Sequence, residues 1–345
     1  MPMYMQYPQW LSPEVIPGLP IRWYGLMYLV AFGISYWLFN VQIRQRKIQV
    51  EQDTIINLYF YSILGLLLGA RIFSALVYDP TGKYLRAPWL IFWPFENGQF
   101  VGLQGMSFHG GLIGAVVVAV IYLKSQKLDV WDWGDMIVQS IPLGYTFGRI
   151  GNFINGELYG RVTSGPWGMI FPTARHVPAD QPWVQDVAAA ANFPLPEGSL
   201  LVNLPRHPSQ LYEAFLEGIV LWLVLWFIVR PRKPFRGFSL GIFLIGYGIA
   251  RFIAEYSREP DPQLGYIFSF TGANNPTQVF MSYGDISMGQ LLSFLMILAG
   301  GLSLLGFWIL HKRRPAYVAT VSGKEKGQTG KSGNTVLPPK AKKRK

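Results

Sequence analysis

The chain has 345 residues, of which 50% are hydrophobic and only 14% are charged, yet its formal net charge is +11. So apolar a composition excludes a wholly disordered chain, because disorder requires low hydrophobicity. It also argues against a soluble nucleic-acid-binding protein, and we expect no nucleic-acid partner.

Seven apolar segments each approach the roughly 20 residues that a helix needs to cross a bilayer. In chain order they are residues 21–40, 55–78, 107–124, 134–154, 211–230, 237–256 and 287–311. No basic residue precedes Arg22, so we expect no cleavable signal peptide. The sequence therefore predicts an all-α integral membrane protein with seven transmembrane helices, occupying residues 1–311.

The basic residues are distributed unevenly along the chain. Twenty of the 30 Lys and Arg fall in alternate loops and in the C-terminal tail, which predicts an outward N-terminus and a cytoplasmic C-terminus. Loops 79–106 and 157–206 then lie on the outer side. The tail 312–345 has 11 basic residues and one acid, and its composition predicts disorder. We expect a tail that has no partner or contacts anionic lipid, in preference to one that binds ribosomal RNA.

Small residues four apart in three segments predict close helix contacts. These pairs are Gly65 with Gly69, Gly110 with Gly114, and Gly144 with Gly148. His109 precedes one of them and is followed by two glycines, which allow a lipid or a second helix to approach closely. This histidine is either a hydrogen-bonded structural residue or a functional one.

The densest polar cluster at membrane depth is the run from Gly148 to Arg161. On a helix, Arg149, Asn152 and Asn155 share one face. A guanidinium flanked by amides suits an anionic headgroup, because arginine binds phosphate in a bidentate manner. The alternative is an Arg149 that only pairs with Glu157 at the end of a helix.

A second arginine occurs in the sixth segment, where Tyr247, Arg251 and Glu255 are four residues apart and share one helical face. Arg251 and Glu255 either form an ion pair that makes the arginine tolerable in lipid, or belong to a site. Arg149 and Arg251, from two helices, are candidates to hold one phosphate between them.

Other classes of protein receive less support from the sequence. A lipid or solute transporter would suit buried arginines, but we find no internal repeat of the kind many carriers have. An intramembrane protease needs a Ser–His or Asp–Asp pair, and Ser107 and His109 do not face each other on a helix. The sequence contains no cysteine, so any thiol chemistry must use a thiol of the substrate. We expect neither a cofactor nor a metal ion.

The run GRIGNFINGELYGRVT, Gly148 to Thr163, resembles the signature of bacterial phosphatidylglycerol–prolipoprotein diacylglyceryl transferases, GRxGNFxNxExxGxxT. The runs HGGLIG, IRWYGLMY, HPSQLYE and YGIARFIAEYSREPD also look like that family's. The resemblance covers about residues 15–312, and the basic tail departs from the compact family pattern.

The resemblance implies a multi-pass enzyme of the bacterial inner membrane with seven helices and a small periplasmic head region. It implies transfer of the sn-1,2-diacylglyceryl group from phosphatidylglycerol to the lipobox cysteine of a prolipoprotein signal peptide, with sn-glycerol 1-phosphate released. This is the first step of lipoprotein maturation, and we expect the enzyme to act as a monomer.

Residue roles follow from the resemblance and from the chemistry together. Arg149 and Arg251 are expected to stabilise the phosphate leaving group. His109 is the candidate base by analogy with the family, and Tyr24 or Glu255 are candidates to share that task. The residues expected to shape the phosphatidylglycerol site are Arg149, Asn152, Asn155, Glu157, Gly160, Tyr247 and Glu255.

Overall fold

The fold is predominantly helical. The computed structural model describes residues 3–18, 21–96, 98–100, 102, 105–196, 198–259, 265–269 and 283–313. The predicted basic tail therefore lies outside the described residues from residue 314 onwards. The long helices are α1 (Trp23–Gln45), α2 (Gln52–Val77), α4 (Phe108–Ser125), α5 (Val130–Ile154), α7 (Ser209–Arg232), α8 (Phe238–Glu255) and α9 (Met288–Arg313); the short helices are α3 (Lys83–Arg86) and α6 (Pro182–Ala190).

Within the described residues, six of these helices are long and apolar enough to cross a membrane: α1, α2, α4, α7, α8 and α9 (to Lys312). They correspond to six of the seven predicted segments, which identifies a multi-pass membrane protein. The predicted count of seven is not confirmed, because α5 is not among the six. The buried face of α5 carries polar side chains, including Asp135, Gln139 and Asn152. All three make hydrogen bonds to other protein groups.

The helices pack as pairs, α1 with α5, α2 with α4 and α8 with α9, and α5 also contacts α7 and α8. Glycines allow the close approach of α2 and α4, because a Cβ on Gly65 would lie 2.7 Å from the Gly114 carbonyl oxygen. A Cβ on Gly144 would likewise lie 2.6 Å from the Ala31 carbonyl oxygen of α1. The predicted contacts at these glycines are confirmed, whereas Gly148 has open space beside it.

Helix α7 is irregular, with two π-helical stretches at Ala214–Val220 and Val224–Val229. Such stretches often occur at functional sites. A Cβ on Gly218 would lie 3.1 Å from the Thr146 Cβ, so this glycine lets α7 approach α5 closely. The start of α7 is thereby held against the C-terminal half of α5.

Between α5 and α7 the chain forms a small folded unit with its own apolar core, which includes Val162, Val184 and Leu204. Short strands contribute to it: β4 (Met169–Ile170) pairs in parallel with β1 (Met5–Gln6), and β5 (Val177–Pro178) pairs antiparallel with β6 (Leu201–Val202). The other strand pairs, both antiparallel, are β2 (Phe95–Glu96) with β3 (Gln99–Phe100) and β7 (Tyr266–Ser269) with β8 (Asp285–Ser287).

The N-terminal segment contacts both this unit, through β1, and the end of α5, through Tyr7. The Tyr7 hydroxyl lies 2.9 Å from the carbonyl oxygen of Phe153 and 2.8 Å from that of Ile154, two of the last carbonyls of the helix. The Phe153 carbonyl already accepts a hydrogen bond from the Gly156 N–H at 2.9 Å. The single phenol proton therefore serves mainly the Ile154 carbonyl, because carbonyls at a helix end have no intrahelical partner. These contacts hold the end of α5 in place.

Candidate active site

Three arginines and three glutamates meet where the ends of α5 and α8 face the start of α7. We call them the charge cluster: Arg149, Arg251, Arg258, Glu213, Glu217 and Glu255. The side chains of Arg149 and Arg251 keep 17% and 18% of their surface exposed, whereas Glu213 and Glu217 are fully buried. The arginines are therefore the members that an entering ligand meets.

Arg149 extends from the last turns of α5. Its Nε lies 2.6 Å from the Tyr145 hydroxyl and 2.9 Å from Glu213 Oε2, and its Nη1 donates to Asn152 Oδ1 at 3.4 Å. The Tyr145 ring lies under the guanidinium, 4.9 Å from its carbon. The alternative in which Arg149 pairs only with Glu157 is wrong, because its ionic partner is Glu213, which lies far along the chain.

Arg251 extends from α8 into the same cluster. Its Nη2 donates to Glu255 Oε2 at 2.8 Å, so the ion pair suggested by the four-residue spacing is confirmed. Its Nη1 lies 3.2 Å from Glu213 Oε2 and 3.7 Å from Glu217 Oε1. The two arginines therefore converge on one carboxylate oxygen, Glu213 Oε2. The prediction that they are close enough to share one oxyanion is consistent with this geometry.

The two asparagines of the Gly148–Thr163 signature face one carboxylate, that of Glu157. Asn152 Nδ2 and Asn155 Nδ2 donate to Glu157 Oε1 at 2.9 and 3.3 Å, so the side chains predicted to share a face do act together. Tyr24 of α1 lies beside these asparagines, and its side chain interacts with Asn152. Its backbone is also close to α5, because a Cβ added to Gly151 would lie 3.4 Å from the Tyr24 Cα. The Tyr24 hydroxyl lies 3.0 Å from that of Tyr28.

His109 occupies a different position. It lies in the first turn of α4 with its side chain exposed, and its Nδ1 lies 3.4 Å from the Tyr78 hydroxyl. Among the described residues, no hydrogen bond or ion pair joins His109 to Arg149 or Arg251. Its assignment as the base remains a prediction.

Tyr247 and Gly160 complete the predicted set. The Tyr247 ring packs edge-on against Tyr145, with the ring centroids 6.0 Å apart. Gly160 lies where the chain after α5 meets the end of α8, and its N–H donates to the His207 carbonyl at 2.8 Å. A Cβ there would clash with the Ser257 carbonyl and lie 2.9 Å from the His207 Cβ, so only glycine fits.

His207 lies just before α7 and is buried. Its Nδ1 accepts a hydrogen bond from Trp167 Nε1 at 3.2 Å and lies 3.3 Å from the Tyr212 hydroxyl. Burial, together with the nearby Arg161 guanidinium, lowers the pKa of the His207 imidazole to about 4. The histidine is therefore neutral near pH 7 and holds the approach to α7 by hydrogen bonds and not by charge.

Several residues of the site were not predicted from the sequence. Tyr145, Glu217 and Arg258 were not singled out, and Glu213 entered only as the last residue of the run HPSQLYE. A signal was present, since Glu213 and Glu217 are two acids at helical spacing in an apolar segment. Charged residues in lipid need partners, so two buried acids call for buried cations. Within the described residues, no group of three or more His, Cys, Asp or Glu side chains is arranged to hold a metal ion.

The fold and the site together define a multi-pass membrane protein with an arginine pair directed at one oxyanion position. The sequence profile of the family described as "Prolipoprotein diacylglyceryl transferase" matches residues 14–306. A phosphatidylglycerol–prolipoprotein diacylglyceryl transferase of Treponema pallidum is 50% identical over 321 residues, covering 89% of this chain and 96% of the relative. Relatives of the same name from Treponema denticola (49% identical, covering 92% and 99%) and Chlorobaculum tepidum (39% identical, covering 90% and 93%) also match.

The chain belongs to the prolipoprotein diacylglyceryl transferase family. It is accordingly an enzyme of the transferase class.

Proposed function

We propose that this protein transfers the sn-1,2-diacylglyceryl group of phosphatidylglycerol to the thiol of a prolipoprotein lipobox cysteine. The products are a thioether and sn-glycerol 1-phosphate, and the reaction is the first step of bacterial lipoprotein maturation. The observation that carries the proposal is the convergence of Arg149 and Arg251 on one oxygen, at 2.9 and 3.2 Å. The names of the relatives, which specify phosphatidylglycerol and prolipoprotein, support the same assignment.

In the proposed reaction the cysteine thiolate attacks the glycerol carbon that bears the phosphate oxygen. A sulfur–carbon bond forms, the carbon–oxygen bond breaks, and negative charge gathers on the departing phosphate ester. Arg149 and Arg251 stabilise that charge, and fixed donors of this kind each contribute about 100-fold to 1,000-fold in rate. The nucleophile belongs to the substrate, which suits an enzyme without cysteine.

The thiol must lose its proton, and an ordinary cysteine has a pKa of about 8.5. We assign His109 as the base, which receives the proton on its imidazole, because its side chain is exposed and its Nδ1 lies 3.4 Å from the Tyr78 hydroxyl. Tyr24, which contacts Asn152, and Glu255, which pairs with Arg251, are the other candidates. A pH–rate profile of a His109→Gln variant tests this role: an unchanged profile and rate would remove His109 from the mechanism.

The headgroup site in this proposal comprises side chains around the arginine pair. Asn152, Asn155 and Glu157 form one hydrogen-bonded group next to Arg149, and hydroxyls of the glycerol headgroup suit such amide and carboxylate partners. Gly160 shapes the site through the backbone, and Tyr247 and Glu255 line the side formed by α8.

The proposal includes the placement of the chain in the bacterial inner membrane. The N-terminus is periplasmic and the C-terminus is cytoplasmic. Helix α5 also spans the membrane, which brings the number of spanning helices to seven, and α1, α7 and α8 shield it from lipid. Residues 79–106 and 157–206 form the periplasmic head region, and residues 312–345 a basic cytoplasmic tail. The enzyme acts as a monomer.

The test is a reconstitution of the purified protein with phosphatidylglycerol and a synthetic lipobox peptide. We expect the intact mass of the peptide to rise by one diacylglyceryl group, and a peptide with serine in place of cysteine to stay unchanged. No mass shift with fresh lipid would contradict the proposal. Movement of lipid between leaflets without any product would instead indicate a transporter.

A further inference from the structure

The two carboxylate oxygens of Glu213 have different partners. Its Oε1 accepts a hydrogen bond from Arg258 Nη1 at 3.1 Å. Its Oε2 lies 2.9 Å from Arg149 Nε and 3.2 Å from Arg251 Nη1, at the position that both arginines face. Oε1 is therefore held by Arg258, whereas Oε2 occupies the space between Arg149 and Arg251.

The contacts of Oε2 are ion pairs without hydrogen-bond geometry. Within the described part of the chain, Glu213 Oε2 accepts no hydrogen bond and Arg251 Nη1 donates none, although both atoms are buried. Buried polar atoms without such partners are rare and costly in proteins. The Nη1 donor of Arg251 therefore lies next to Glu213 Oε2 without donating a hydrogen bond to it, while Nη2 is held by Glu255.

The charge cluster is balanced before any ligand enters, because its three arginines face three glutamates. A phosphate diester brings one further negative charge. Next to Glu213 Oε2 that charge would be repelled, since like charges in a site of low dielectric constant destabilise each other. The phosphate oxygen needs the place that Oε2 holds.

We propose that Glu213 is a positioning residue that holds the place of the substrate phosphate, and that Arg258 retains its carboxylate when the phosphate displaces Oε2. The inference rests on the proposed function. The terminal torsion of a glutamate side chain has a broad energy profile, so the carboxylate rotates and takes Oε2 away from the arginine pair, while the long Arg258 side chain follows Oε1. Glu213 keeps the arginine pair ordered without lipid and competes with the lipid for it.

Two single variants are expected to change the KM for phosphatidylglycerol in opposite directions. Glu213→Gln removes the competing charge and lowers KM about tenfold. Arg258→Gln removes the group that draws Glu213 away, so the carboxylate holds the arginine pair more firmly and KM rises about tenfold. A merely structural role for Glu213 would lower the folded fraction or kcat without lowering KM.

The double variant separates this account from direct binding of phosphate by Arg258. If Arg258 acts only through Glu213, the double variant has the low KM of Glu213→Gln alone, because residues that act on one another are non-additive. A KM that still rises on adding Arg258→Gln to Glu213→Gln would show that Arg258 binds the phosphate itself, and would overturn the inference.

A KM for Glu213→Gln equal to or above that of the wild type would also overturn it. Should Glu213→Gln fail to fold, Glu213→Asp replaces it in the cycle, because the shorter side chain withdraws the carboxylate from the arginine pair and the same fall in KM is expected. The two proposals fail differently: without thioether in the wild type the proposed function is wrong, whereas wild-type transfer with an unmoved KM in the variant contradicts this inference alone.

Discussion

Arg149 and Glu213 form an ion pair of 2.9 Å that joins the last turns of α5 to the second turn of α7. Glu213 is fully buried, while Arg149 keeps 17% of its side chain exposed. A charge at membrane depth is expensive unless it is paired, and removing one partner of a buried pair costs about 3–5 kcal/mol. The pair therefore makes a charged, ordered arginine possible at the place where the proposed chemistry needs one.

Lysine in place of either arginine should impair transfer more than folding. Arg149→Lys and Arg251→Lys keep the charge that Glu213 requires, but lose the planar fork that binds an oxyanion. We expect kcat to fall about tenfold to 100-fold in each, with the melting temperature within a few degrees of the wild type.

The matched control is Arg46→Lys, because Arg46 lies just after α1 in another ion pair, 3.6 Å from Asp132. We expect it to retain wild-type kcat. Wild-type turnover in both Arg149→Lys and Arg251→Lys would argue against a phosphate role for the pair.

Acid should destabilise the protein through His207. The folded pKa of about 4 lies below the ordinary value of 6.5, so between these pH values the unfolded chain binds more protons than the folded one. Stability from this group is present above pH 6.5 and falls as the pH drops towards 4, by up to about 3 kcal/mol.

Melting temperatures of the wild type and a His207→Gln variant between pH 7.5 and pH 4.5 measure the effect. The glutamine retains an acceptor for Trp167 but does not titrate, so its melting temperature should fall less with acid. Parallel curves for the two proteins would count against this assignment.

Alanine at Gly114 should separate α2 from α4. A Cβ there would overlap the Gly65 carbonyl oxygen and lie 3.0 Å from the Gly69 Cα, and backbone atoms cannot move aside cheaply. We expect a loss of about 1–3 kcal/mol, measured as a lower melting temperature in detergent. Gly301→Ala is the control, since nothing lies within 4 Å of a Cβ at that site, and equal melting temperatures for the two variants would refute the packing argument.

Alanine at Gly160 tests whether that residue acts through backbone packing. The added Cβ would meet the Ser257 carbonyl and His207, so the segment after α5 would shift away from α8. We expect Gly160→Ala to lower both the melting temperature and kcat. An unchanged melting temperature with an altered KM for lipid would instead indicate direct contact between Gly160 and the headgroup.

The sequence predicted the positions of the long helices well, because continuous apolar runs of about 20 residues have few other solutions in lipid. It also predicted the faces on which Arg149 with Asn152, and Arg251 with Glu255, lie, because these depend only on helical spacing. The prediction that α5 spans the membrane is not confirmed, because α5 carries polar residues on a face that is buried against other helices.

The sequence did not predict which charged residues pair across helices. Glu213 meets Arg149 and Arg251 only because α7, with Gly218 against Thr146, packs closely on α5, and no local spacing encodes that contact. Arg206 was assigned to an outer loop, yet it is buried and paired with Glu259 at 2.6 Å. Tertiary packing decides both cases.

The most direct test of the account follows the headgroup of phosphatidylglycerol during peptide modification. With the headgroup glycerol labelled, we expect one glycerol phosphate to be released for each diacylglyceryl thioether formed, and both to be lost together in a variant with alanine at Arg149 and Arg251. A peptide that gains a single acyl chain as a thioester, with the label still in lipid, would contradict cleavage at the phosphate ester and the role given to the arginine pair.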